Sequence, residues 1–87
     1  MTTIYLSDKD GKYRIKCEGH ATGSVEACAG ISAICITLAR CVDAIKLVAE
    51  DGLFEVEFFG QDELFRFACE GLEGMCEEYG NYCKIMV

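Results

Sequence analysis

The sequence predicts an α+β fold, β-β-α-β-α-β, with two helices packed on a four-stranded antiparallel or mixed sheet. Three observations carry that expectation. Short stretches alternate apolar and polar residues with period two, as in "KYRIKCE" and "LFEVEFF". Two longer stretches repeat apolar residues at helical spacing, and glycines or turn dipeptides separate the segments. A chain of 87 residues has room for one modest core, so residues 1–87 are read as a single domain.

"TTIYLSD" is the first strand, and "DKDG" turns the chain into the second, making a hairpin. In the second strand Tyr13, Ile15 and Cys17 form the core side, and Arg14, Lys16 and Glu18 the opposite one. Residues 19–24 are loop. From residue 25 to about 50, Val25, Cys28, Ile31, Cys35, Leu38, Val42 and Ile45 mark one long buried helix. Ser24 is its expected N-cap, Glu26 suits the positive end of its dipole, and Gly52 closes its far end. In the third strand Phe54, Val56 and Phe58 oppose Glu55 and Glu57. Asp62 is the expected N-cap of the second helix, whose stripe is Leu64, Phe65, Ala68, Leu72, Met75, Cys76 and Tyr79. Gly80-Asn81 ends that helix, and "YCKIMV" supplies the fourth strand.

Composition excludes several classes of function. Acidic residues outnumber basic ones 15 to 8, giving a formal charge of −7, and the few Lys and Arg are scattered. A phosphate-binding surface is therefore not expected, and a basic protein or peptide is the partner that such a charge attracts. Ser32, Thr37, Arg40, Asp43 and Lys46 interrupt the most apolar stretch, which excludes a membrane span there. The opening "MTTIYLSDKDGK" has no basic leader followed by an apolar core, so the expectation is a cytoplasmic protein. The seven cysteines are an odd number without a C-x-x-C pair, which argues against a disulfide framework, a zinc site or a thioredoxin-like motif. Apart from Cys28 they are read as small buried hydrophobes.

The chemistry-bearing stretch is "CEGHATGSVEACAGIS", which holds the chain's one histidine, His20, and places Cys28 in the first turn of the long helix. A cysteine becomes a nucleophile as its thiolate, which a helix N-terminus and a neighbouring base both favour. The residues between His20 and Cys28 are enough to turn the chain back and bring the imidazole toward the sulfur. His20 would then act as base and later as acid, with helix-start amides as oxyanion donors. Ser32 lies one turn after Cys28 on the same face, and Gly30 leaves room for close approach beside it. A structural histidine in a turn and a serine bonded back to its own helix are the plainer readings of the same residues.

Gly19-His20-Ala21 followed by Ala27-Cys28-Ala29-Gly30-Ile31-Ser32-Ala33-Ile34 resembles the paired signature of the bacterial ribosomal-processing cysteine protease family, Prp. In that family a GHA motif precedes a C-A-[AG]-[VI]-S-A-[LI] helix start, and the expected order of elements is also similar. The resemblance implies a catalytic dyad of His20 and Cys28, with Ser32 assisting and Gly19 and Gly30 as supporting positions. It further implies a homodimer without cofactor or metal. The implied substrate is the N-terminal extension of a large-subunit ribosomal protein or, for related phage enzymes, a capsid or scaffold protein. The chain departs from the pattern in a shorter loop between histidine and cysteine, without the Gly-rich stretch, and in Val25 where the family has Asp. The alternative from another class is a non-catalytic protein-binding module that keeps the protease-like fold.

Overall fold

In the computed structural model, which describes residues 1–86, the chain first reverses at Asp10 and Gly11. Their φ angles of 55° and 81° are the left-handed pair that a two-residue Asp-Gly hairpin requires. The turn joins β1 (Thr2–Lys9) to β2 (Lys12–Glu18). There follow α1 (Val25–Cys41), β3 (Lys46–Glu50), β4 (Leu53–Phe59), α2 (Asp62–Glu78) and β5 (Cys83–Met86). The order is thus β-β-α-β-β-α-β, with five strands where four were expected. They form one sheet in the order β3-β4-β2-β1-β5, mixed because β1 and β5 are parallel while the other neighbours are antiparallel.

The extra strand comes from the second half of the expected long helix. The helix stops at Cys41, and Val42 turns extended, with φ −106° and ψ 158°, its N–H still bonded to the Leu38 carbonyl. Val42 is also the last residue of the helical stripe to be buried, and Ile45 is exposed. The Ile45 N–H instead reaches the Glu57 carbonyl at 2.8 Å and opens the β3–β4 ladder. As an edge strand β3 buries almost nothing, so its sequence carries no alternation. Gly52 does not close a helix. It completes the Asp51-Gly52 turn of the β3–β4 hairpin, at φ 78°.

Asp62 likewise is the first residue of α2 rather than its cap. The cap position belongs to Gln61, in the left-handed conformation, whose carbonyl accepts from the Leu64 and Phe65 N–H groups. Its side-chain Nε2 donates to the Cys41 carbonyl at 3.2 Å, which ties the start of α2 to the end of α1.

The registers Ile4↔Cys17, Ile15↔Val56 and Tyr13↔Phe58 place these six residues on one face of the sheet. Ile31, Cys35 and Leu38 of α1 and Ala68 and Leu72 of α2 cover that face. The Tyr13 ring stacks on Phe65 at 4.3 Å, so one aromatic cluster links sheet and helix. The other face carries charge in register: Arg14 and Lys46 both pair with Glu55, and Lys12 with Glu57. Glu55 is buried beneath these cations, and the Arg14 guanidinium, then Lys46, hold its carboxyl below the usual range. Among the described residues no helix is long and apolar enough to cross a membrane.

Candidate active site

β2 delivers His20, and the local sequence explains how. Past Glu18 the chain bends at Gly19, with φ 85°, where a Cβ would stand 2.5 Å from the Met1 carbonyl oxygen. No other residue fits there without displacing backbone. The Gly19 N–H bonds the Gly52 carbonyl at 2.9 Å, which extends the β2–β4 ladder into the β3–β4 turn. His20 therefore lies over that turn, and its Nε2 meets Asp51 Oδ1 at 3.2 Å.

α1 delivers Cys28. Ser24, extended at φ −137°, caps the helix by accepting the Ala27 N–H on its Oγ at 3.1 Å, and its own N–H returns to the Ala21 carbonyl. Ala21 and Ser24 are both buried, so the short loop between His20 and Cys28 is anchored to the body of the protein. The Cys28 N–H is bonded to the Ser24 carbonyl at 3.2 Å. Of the first-turn amides, those of Val25 and Glu26 have no partner among the described residues.

Between α1 and the β3–β4 hairpin lies a cleft of about 340 Å³ that contains both His20 and Cys28 in its lining. α1 leaves the edge strand partly uncovered, and Leu47, on the helix side of β3, remains half exposed. Cys28, Ser32 and Ile36 line one wall at successive turns of α1, and Glu50, Asp51 and Gly52 line the other. Cys17, Ile31, Cys35 and Phe54 contribute apolar surface beneath them. The sulfurs of Cys17 and Cys35 lie 3.7 Å apart, and that contact, with burial, pushes the Cys17 thiol above its ordinary range.

The predicted positions thus separate. His20, Cys28, Ser32 and Gly19 are brought together at the cleft. Gly30 is not: it faces α2, where an added Cβ would meet the end of the Met75 side chain. Its smallness serves the approach of the two helices. No hydrogen bond joins His20 to Cys28 among the described residues, and the imidazole engages Asp51 instead. Asp51 is the residue that sequence reasoning missed. The signal was present in Asp51-Gly52, a hairpin dipeptide, once that pair is read as a strand turn rather than a helix end.

The other cysteines divide by environment. Cys17, Cys35 and Cys83 are buried, as expected, whereas Cys41 is exposed at the far end of α1. Cys69 and Cys76 are half-buried, and burial pushes their thiols up to about 11 and about 12. All seven are free thiols. Among the described residues no three His, Cys, Asp or Glu side chains form a group that could hold a metal ion.

Among the solved structures similar to this chain, two are matched almost end to end. One is the ribosomal processing protease Prp from S. aureus in complex with a covalently linked product peptide, at TM-score 0.81 and 21% identity. The match covers 98% of this chain and 97% of that one. The other is the same protease with a substrate peptide, at TM-score 0.80 and 21% identity, covering 99% and 98%. No protein-family model and no curated protein sequence matches the chain. The likeness establishes the fold: this chain is folded as Prp is.

Proposed function

We propose that this protein, folded as the ribosomal processing protease Prp is, cleaves peptide bonds through Cys28 and His20. One observation carries the reading: two residues from separate elements, matching the two motifs of that family, line one cleft in the same fold. In the first step the Cys28 thiol gives its proton to the imidazole, and the thiolate attacks the carbonyl carbon of the scissile bond. The negative charge that develops on the carbonyl oxygen needs N–H donors. Amides at the start of α1, beside Cys28, are the candidates. The imidazolium then protonates the leaving amine as the C–N bond breaks, leaving a thioester on Cys28. Water, deprotonated by the imidazole, hydrolyses that thioester and releases the acid. Ser32, one turn along from Cys28, orients the substrate or the imidazole.

The cleft also describes the substrate. Its apolar surface at Ile31, Ile36 and Phe54 suits a nonpolar side chain, and Glu50 and Asp51 suit a basic neighbour. An extended, basic segment such as the N-terminal extension of a ribosomal protein, or a segment of a phage capsid or scaffold protein, meets both conditions. The reading includes a cytoplasmic setting and a homodimer, the latter checked by light scattering of the purified chain.

The first experiment is alkylation of the folded protein by iodoacetamide, followed cysteine by cysteine with peptide mass spectrometry. Cys41 is the internal reference, exposed on the same helix but remote from the imidazole. The expected result is that Cys28 reacts faster than Cys41 at neutral pH and loses that advantage in His20→Ala. Incubation with the two classes of candidate peptide follows. His20→Ala should slow cleavage by about 10² to 10⁴, the usual contribution of a general acid–base group. Equal rates for the two exposed thiols would favour the binding-module reading.

A further inference from the structure

Resting on the peptidase reading, we infer that Asp51 is the positioning residue of the site, holding the imidazole of His20 in the tautomer that presents Nδ1 to Cys28. Two ties bring the carboxylate to the ring. The Gly19 N–H bond to the Gly52 carbonyl, 2.9 Å, locks the backbone beside His20 to the hairpin turn. The turn then sets Asp51 Oδ1 3.2 Å from Nε2. Gly52 contributes by what it lacks, since a Cβ there would stand 3.3 Å from the same nitrogen and crowd the ring.

The consequence follows from imidazole chemistry. A neutral imidazole has one N–H and one lone pair, and a carboxylate accepts only from the N–H. Accepting from Nε2–H across this 3.2 Å contact, between side chains that are both exposed, Asp51 would favour the tautomer with its proton on Nε2 and leave the lone pair on Nδ1 for the thiol proton. When that proton arrives the imidazolium carries a positive charge, which the same carboxylate stabilises without taking a proton itself.

His20 is the chain's single histidine, so its ring nitrogens give one unambiguous set of ¹⁵N signals. The test records them at about pH 8.5, where imidazole is ordinarily neutral, for wild type, Asp51→Gly and Asp51→Asn. Gly-Gly and Asn-Gly are both accepted hairpin dipeptides, so the turn is retained. The expected result is a strong preference for the Nε2–H tautomer in wild type. In Asp51→Gly it relaxes to the mixture of an unconstrained imidazole, and Asp51→Asn falls between. Cys28 alkylation should slow about fivefold in Asp51→Gly, the scale of an exposed ion pair. An unchanged tautomer overturns the inference. So does an unchanged Cys28 rate in Asp51→Gly while His20→Ala still slows it, which leaves the dyad standing. A wild-type rate that His20→Ala does not alter overturns the peptidase reading and this role of Asp51 together.

Discussion

Glu55 shows how much a single polar position can conceal. In "LFEVEFF" it reads as the solvent side of a strand, and it does lie opposite the core, yet two cations from neighbouring strands bury it. Its carboxyl is held below the unfolded value, so its contribution to stability is present above that value and is lost as pH falls through the folded one. The urea midpoint of the wild type should therefore drop as pH is lowered from about 5 toward 3, below the ordinary carboxylate pKa of about 4.3. Glu55→Gln should show a flatter profile over the same window, measured by equilibrium unfolding. His20 and Cys28 were legible because motif and spacing are local properties of the chain. Asp51 was not, since its partner is brought to it by strand pairing across a distance in sequence. Gly30 was legible as a small residue, but which neighbour it admits depends on where α2 lies.

Among the elements, α1 was readable at its start and not at its end. Ser24 and Glu26 are strong local signals found where they were expected, and of the apolar stripe Ile31, Cys35 and Leu38 are buried in the helix while Val25 and Cys28, expected to be buried, are exposed. The far end has neither a glycine nor a proline, and Val42 and Ile45 continue the helical spacing by coincidence. The hydrogen bonds offered by β4 decide in favour of a strand, because an edge strand gains backbone pairing even where it buries little. The same logic separates two glycines. Gly19 has positive φ and a backbone atom in the way of any side chain, whereas Gly30 meets only a flexible methionine. Gly19→Ala should therefore destabilise the protein by at least about 1 kcal/mol, the cost of the left-handed conformation alone. Gly30→Ala should be close to neutral, because the gain in helix propensity, about 1 kcal/mol, offsets repacking of Met75. Chemical denaturation of the two variants side by side checks the contrast.

Across the molecule, charge and shape act together on the proposed reaction. A net charge of −7 attracts a basic peptide over distances that salt shortens, and Glu50 and Asp51 put part of that charge on the cleft wall. Cleavage of a basic peptide should therefore slow as ionic strength rises from about 0.01 M to 0.15 M, across which the screening length falls from about 30 Å to 8 Å. The loss should appear in kcat/KM more than in kcat, which steady-state kinetics at several salt concentrations resolves. Period-two and helical patterns, turn dipeptides and the two motifs determined the fold class, six of the seven elements and the two residues proposed for catalysis, because each is encoded within a few neighbours along the chain. The edge strand β3, the cleft between α1 and the β3–β4 hairpin, the pairing of His20 with Asp51 and the burial of Glu55 were decided only by tertiary structure. Each of these depends on which strand edge and which helix face meet, and that is a property of packing between distant segments rather than of any stretch read alone.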